Sequence, residues 1–194
     1  MKKLIVGISG ASGVIYGIRL LELLQSVADV ETHLIMSTAA ATTIALETDY
    51  AIDQVKAMAD VTYSFNDIAA AVSSGSFKTM GMVVIPCSMK TLAGIANSFS
   101  DNLLLRAADV ALKDRRKLVL VTRETPLHLG HLRLMVQVTE MGAIVAPPMP
   151  AFYHQPQTLD DIINQTVNRV LDLLDIDLPQ DLFTRWAGGR AARE

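Results

Sequence analysis

The sequence predicts an α/β sandwich built on one mostly parallel sheet. Three observations carry that reading. Short apolar runs ending in Gly, Ser or Pro recur along the chain, as strands buried on both faces of a parallel sheet do. Segments with apolar residues at helical spacing separate them, the alternation of an α/β fold. The 194 residues fit one domain, with a C-terminal tail from about residue 179, at roughly 100–200 residues per domain. A chain of this length buries a sizeable core without disulfides or a structural metal.

The first unit is the clearest. Lys3 to Ser9 is a nearly continuous apolar run and reads as a buried strand. Gly10-Ala11-Ser12-Gly13 is a tight turn, and Val14 to Val27 carries Val14, Ile18, Leu21, Leu24 and Val27 at helical spacing. Val30 to Met36 is a second strand, with Ser37 as N-cap of an Ala-rich helix through Glu47. The default for such a strand–helix–strand start is a right-handed parallel unit. Further on, Asp53 to Ala59 reads as a short helix, Val61 to Phe65 as a brief strand and Ala69 to Phe77 as a loop. Gly81 to Pro86 is another buried strand, followed by helices from Lys90 to Asn97 and from Asp101 to Lys113. Leu118 to Arg123 and Ala143 to Ala146 are strands on either side of a helix from Leu129 to Met141. After the break at Pro147-Pro148-Met149-Pro150, Thr158 caps a helix with Ile163, Val167, Val170 and Leu174 on one face. Pro179 to Glu194 has little periodicity.

Composition narrows the function. With 17 basic and 20 acidic residues, the formal charge of -3 argues against nucleic-acid binding. Hydrophobic residues are 51% and charged ones 19%, against about 25% charged in a typical soluble domain. Such a chain hides apolar surface in an interface, so an oligomer is expected. No apolar run approaches the roughly 18–20 residues that span a bilayer. One cysteine excludes an internal disulfide framework and fits a reducing cytoplasm. The Met1–Gly7 start is too short before its turn for a signal peptide.

In parallel sheets, ligands bind beyond the carboxyl ends of the strands. Gly7, Gly10 and Gly13 do not match the dinucleotide fingerprint, and there is no Walker loop. What remains is a Gly/Ser turn at a helix entry, suited to an anion, with Ser12 adding a hydroxyl. Met36-Ser37-Thr38 stands where NAD-binding sheets place an acid for the ribose. That favours a mononucleotide over a dinucleotide. Cys87-Ser88-Met89-Lys90-Thr91 opens another helix after a strand; Cys87 has no His nearby in sequence and reads as core. Arg123 and Glu124 sit at a strand end, where an Arg clamps phosphate and a carboxylate moves protons; a structural salt bridge is the competing reading. His128 and His131 lack the partners of a metal set, and no metal is expected. Phe152-Tyr153-His154-Gln155 is an aromatic loop, or else a hydrophobic plug. Arg169 alone reads as a solvated surface residue.

Taken in order, these segments resemble the UbiX-type flavin prenyltransferases, also called the Pad-type family. The matching pieces are Gly10-Ala11-Ser12-Gly13, Pro86-Cys87-Ser88-Met89-Lys90-Thr91-Leu92, Ala107 to Lys113, Arg123-Glu124-Thr125-Pro126-Leu127-His128, Ala151 to Gln157 and Arg185-Trp186. The segment between Asp49 and Gly81 carries no matching motif. The resemblance implies a Rossmann-like three-layer sandwich that binds FMN and assembles as a dodecamer. It implies metal-independent transfer of a dimethylallyl group from dimethylallyl phosphate to N5 and C6 of reduced FMN, supplying prenylated FMN to a UbiD-type decarboxylase. It assigns FMN to Gly10, Ala11, Ser12, Ser37, Ser88, Met89, Lys90, Thr91 and Arg123. It assigns dimethylallyl phosphate to Lys113, Arg123, Tyr153 and Arg169, proton transfer to Glu124, and closure of the site to Trp186.

Two rivals share the fold. An FMN-dependent decarboxylase of the peptidyl-cysteine type would carry a Pro-Ala-Ser-Ala-Asn-type segment where this chain has Pro86-Cys87-Ser88-Met89-Lys90. A non-catalytic flavin-binding subunit of an aromatic-acid decarboxylase would have no need of the Arg123, Glu124, Tyr153 and Arg169 set.

Overall fold

The computed structural model describes residues 1–188; the end of the expected tail, 189–194, lies outside the described residues. One sheet runs through the molecule: β1 (Lys2–Ile8), β2 (Val30–Met36), β3 (Val61–Tyr63), β4 (Gly81–Cys87), β5 (Lys117–Thr122) and β6 (Ile144–Val145). Its order is β3-β2-β1-β4-β5-β6, every described pairing is parallel, and the brief strand of the sequence reading becomes the β3 edge. The helices are α1 (Val14–Leu24), α2 (Thr38–Glu47), α3 (Ile52–Ala57), α4 (Met89–Ala96), α5 (Leu103–Lys113), α6 (Leu129–Glu140) and α7 (Leu159–Leu173). This is the Rossmann-like three-layer arrangement.

The apolar runs follow from burial on both faces. On β1 and β4, Leu4, Val6, Ile8, Val83 and Ile85 face a core shared with α1 and α7. The intervening Ile5, Met82 and Val84 face the opposite core, with Leu92 of α4 and Leu104 and Ala108 of α5. Full burial of each such side chain contributes about 1.5–3 kcal/mol. A Cβ on Gly17 would stand 2.4 Å from the Ile85 carbonyl oxygen, so glycine is what lets α1 lie this close to β4.

β1 connects to β2 on one side and β4 to β5 on the other. That reversal opens a crevice above the carboxyl ends of β1 and β4. Ser9 straps its floor: its Oγ donates to Pro86 O (2.8 Å) and accepts from Ser88 N–H (2.8 Å). The expected loop at 69–77 contains a 3-10 turn, Ala71–Ser73. Arg106 Nε donates to Ser73 O (3.1 Å) and Arg116 Nη2 to Gly75 O (2.6 Å), tying the loop to the start of α5 and to the turn that follows it.

Candidate active site

Clefts open on the molecule, and the first, at the carboxyl edge of the sheet, is made of backbone. Ser37 caps α2, its Oγ accepting from Ala40 N–H (3.0 Å), and Ser88 caps α4, accepting from Thr91 N–H (3.3 Å). Both helix N-termini point into the crevice, where their first N–H groups have no partner within the helix. Together with their dipoles they form an anion-binding site. The cleft has a volume of about 840 Å³ and is lined by Gly10, Ser37, Ser88, Lys90 and Thr91, with Phe65 and Phe99 as apolar walls. A Cβ on Gly10 would sit 2.4 Å from Ala39 Cβ and 3.0 Å from the Ala39 carbonyl carbon. The β1–α1 turn thus abuts α2 so closely that only glycine fits. Ala11 lies in the same turn, and Met89 opens α4 while packing against the core. The dimensions of this cleft, its two serine-capped helix N-termini and its apolar walls fit a mononucleotide with a large ring.

Ser12 and Arg123 share a second cleft of about 360 Å³ with Gly13, Tyr16, Glu47 and Pro148. Glu47 Oε2 accepts from Gly13 N–H (2.8 Å), so part of the donor capacity at this turn is already committed within the chain. The free anion-binding geometry therefore belongs to α2 and α4 more than to α1. Burial raises the Tyr16 hydroxyl above its ordinary pKa. Arg123 is fixed at its backbone by an N–H bond to Cys87 O (3.1 Å). Neither Arg123 nor Lys90 makes an ion pair among the described residues, so no Arg123–Glu124 bridge forms there. Glu124 is exposed, and its Oε1 accepts from Thr125 N–H (3.0 Å).

The third cleft, about 630 Å³, brings Tyr153, Arg169 and Trp186 together with Phe183 and Arg185. Tyr153 stands edge-to-face with Trp186 (6.0 Å between ring centroids) and Phe183 (6.3 Å). Arg169 Nη1 donates to Asp172 Oδ2 (2.6 Å). Arg185 and then Arg169 hold the Asp172 carboxyl below the usual range, and Arg185 does the same for Asp181. In the aromatic loop Phe152 is exposed, while Tyr153 and His154 pack against the tail's Phe183.

Lys113 does not join these clefts within one chain. It ends α5, just before β5 begins at Lys117, and so lies at the amino edge of the sheet. The strands put it roughly 20 Å from the carboxyl edge, at about 3.3 Å per residue. There its Nζ pairs with Asp114 Oδ1 (2.8 Å). Cys87 is buried, and burial pushes its thiol far above the ordinary range, which makes it a core residue. His128 serves as the N-cap of α6, its Nδ1 accepting from Gly130 N–H (3.0 Å), with the tilted ring of His131 beside it (3.6 Å between centroids).

Sequence reasoning missed Glu47 and Phe183 as parts of the site, and it gave no role of their own to Ser9, one of the residues just after a strand, or to Arg185, part of a segment that resembles the family. Glu47 closes α2 and meets the Gly13 turn only because α2 folds back beside β1. Ser9 had a legible signal, a hydroxyl directly after an apolar run. Phe183 lies in an aperiodic stretch where no pattern points to a partner, and the Arg185-Trp186 segment does not by itself name the carboxylates that Arg185 meets.

The family model Flavoprotein matches residues 1–171. The chain is 66% identical over 188 residues to the flavin prenyltransferase UbiX of Escherichia coli (strain K12), covering 97% of this chain and 100% of that protein. Its fold superposes with a TM-score of 0.93 on the crystal structure of AnUbiX (PadA1) in complex with FMN and dimethylallyl pyrophosphate, at 51% identity, covering 96% of this chain and 98% of that one. A dodecameric FMN-dependent UbiX-like decarboxylase from Escherichia coli O157:H7 matches with a TM-score of 0.92 at 53% identity, covering 96% and 99%.

Proposed function

The chain belongs to the UbiX-type flavin prenyltransferase family, and from that premise we propose how its clefts divide the work. It is a prenyltransferase that binds FMN and moves a dimethylallyl group from dimethylallyl phosphate to the reduced flavin. The observation that carries this reading is the presence of two complementary chemistries in one chain. One is a backbone-built anion cradle; the other is an aromatic and cationic cleft around Tyr153 and Arg169. Gly10, Ala11, Ser12, Ser37, Ser88, Met89, Lys90, Thr91 and Arg123 hold FMN. When bound, reduced FMN supplies the N5 and C6 positions that accept the allyl group.

The protein's own part is electrostatic. An allylic phosphate leaves only if its developing charge is stabilised, and Arg123, Arg169, Lys113 and the Tyr153 hydroxyl supply that stabilisation. Lys113 does so for a neighbouring copy, since its own chain carries it at the far edge of the sheet. The rings of Tyr153 and Trp186 exclude water from the allyl cation and face it with π-density. Glu124 exchanges a proton with the departing phosphate. These cations do what Mg²⁺ does in other phosphate chemistry, so activity survives EDTA.

The assembly is a homo-dodecamer of single flavin-binding domains. Exposed Leu129, Leu132 and Val136 on α6 support extensive contact between copies. Among the described residues no helix is long and apolar enough to cross a membrane. We place the protein in the cytoplasm, handing prenylated FMN to a UbiD-type decarboxylase. The test is the mass and absorption spectrum of the flavin after anaerobic incubation with reduced FMN and dimethylallyl phosphate. A flavin heavier by one prenyl group is expected. Unchanged FMN together with decarboxylation of a C-terminal cysteine peptide would replace this reading with the decarboxylase one. Unchanged FMN with no turnover would favour the non-catalytic subunit.

A further inference from the structure

The ion pairs under the third cleft are placed to shape it rather than to bind within it. Arg185 commits its guanidinium to two carboxylates. Nε donates to Asp181 Oδ2 (2.6 Å), Nη2 to Asp181 Oδ1 (2.6 Å) and Asp172 Oδ1 (2.8 Å), and Nη1 to Asp172 Oδ2 (2.9 Å). Asn168, buried on α7, secures the same group: its Oδ1 accepts from Leu182 N–H (3.0 Å), and its Nδ2 lies 3.4 Å from Asp181 Oδ1 and 3.5 Å from Asp172 Oδ1. Asp172 Oδ2 also accepts from Arg169 Nη1 (2.6 Å). One carboxylate therefore joins α7, the tail and the cation assigned to the allyl phosphate.

Two physical consequences follow. An exposed single ion pair holds a segment weakly. A guanidinium fork shared by two carboxylates, beside a buried amide that binds the same segment, fixes it in one geometry. That segment carries Phe183 and Trp186, the rings on either side of Tyr153. The second consequence is electrostatic. The two arginines and two aspartates of the cluster sum to zero charge. A phosphate can take Arg169 only if Asp172 keeps another cation, and Arg185 is that cation.

We propose that Arg185 is a positioning residue for the allyl-phosphate subsite: it docks the 181–186 tail around Tyr153, and it serves as the alternative counter-ion that releases Arg169 from Asp172. The inference rests on the reading of Tyr153 and Arg169 as that subsite.

Trp186 is the chain's single tryptophan, so its fluorescence anisotropy reports tail docking directly. The test uses the full-length assembled protein and the variants Arg185→Met, Arg185→Lys and Arg185→Met with Asp172→Asn. Arg185→Met should raise KM for dimethylallyl phosphate about tenfold or more, lower Trp186 anisotropy and leave FMN affinity unchanged. Arg185→Lys, which keeps the charge but not the fork, should fall between. It also keeps the test open should the Met variant fail to assemble. Adding Asp172→Asn to Arg185→Met should recover part of KM, since Arg169 is freed, while anisotropy stays low. A raised KM with unchanged anisotropy would make Arg185 a phosphate ligand and overturn the proposal. Lowered anisotropy with unchanged KM would reduce it to a structural tie and overturn it as well. If Arg169→Ala and Tyr153→Phe leave KM and kcat unchanged, the subsite reading itself fails, which is a separate outcome.

Discussion

The two principal clefts are built from different materials. The first is backbone: strand ends, two serine-capped helix N-termini and a glycine that touches its neighbour helix. The third is side chain: an aromatic loop and a tail held on α7 by arginines and aspartates. A backbone site is fixed by the core beneath it and fails when something no longer fits. A side-chain site is fixed by charge and ring contacts, and it fails by degrees. The difference suits the chemistry assigned to each, since a tightly held flavin needs a preformed cradle. An allyl donor that must enter, react and leave as phosphate needs cations that can change partners.

The comparison breaks most sharply at Gly10. Gly10→Val would press against Ala39 backbone as well as its side chain, so α2 must shift and the cradle with it. FMN retention should be lost in equilibrium dialysis, with the protein still folded by circular dichroism. Tight FMN binding by this variant would show that the cradle is not where the flavin sits. Next in size, Arg169→Ala or Tyr153→Phe should slow prenylation by roughly 10²–10³ while FMN affinity stays within twofold or so of wild type. Single-turnover kinetics with saturating FMN separates the two effects. A matching loss of FMN affinity would mean that the clefts do not work separately.

A smaller effect lies on the seam below the cradle. Ser9→Ala removes the hydroxyl that accepts from Ser88 N–H and donates to Pro86 O, leaving the half-buried Ser88 N–H without this partner while Pro86 O keeps Ser9 N–H. Stranding a buried donor costs about 1–3 kcal/mol. At roughly 2–4 °C per kcal/mol for a chain of this size, Tm should fall by several degrees. FMN should bind more weakly, because the α4 N-terminus loses its tether to β1. A lower Tm with unaltered FMN affinity would confine Ser9 to stability.

Legibility in the sequence divided along the same line. The backbone-built cleft was readable because its parts are local: a hydroxyl before a helix, a glycine after a strand, an apolar run buried on both faces. Ser37 and Thr158 each cap the helix expected of them, and Ser88 caps the helix that its segment opens. The side-chain cleft was not, because its partners are remote and aperiodic. Arg169 by itself reads as a solvated surface residue, and only the family resemblance linked it to Tyr153. Lys113 shows the converse limit. Its identity fits the family's pattern, yet chain connectivity puts it at the opposite edge of the sheet from the residues assigned to FMN. A motif gives the residue without saying which copy of the chain uses it.

The smallest expected effect belongs to neither cleft and calibrates both. His33 on β2 is buried, with Tyr63 Oη 2.9 Å from its Nδ1 and Glu31 Oε1 3.1 Å from its Nε2, and Phe77 edge-on to its ring. Burial is the largest influence and lowers its pKa, and Lys3 acts the same way; Glu31 and Asp60 oppose them without reversing the direction. A histidine whose folded pKa lies below its unfolded value of about 6.5 takes up its proton more readily when the chain unfolds. Stability from this group is therefore present above that value and declines as pH falls through it toward the folded pKa. Asp60, Asp172 and Asp181 are all held below the ordinary carboxylate range, so they stay ionised in this window and add no slope. His33→Gln should flatten the dependence of the urea midpoint on pH between about 7.5 and 5.5, where this histidine titrates in the unfolded chain. FMN affinity and the KM for dimethylallyl phosphate should follow the wild-type pH profile, because His33 lines none of the clefts. An unchanged stability slope would show that Glu31, rather than burial, governs this imidazole.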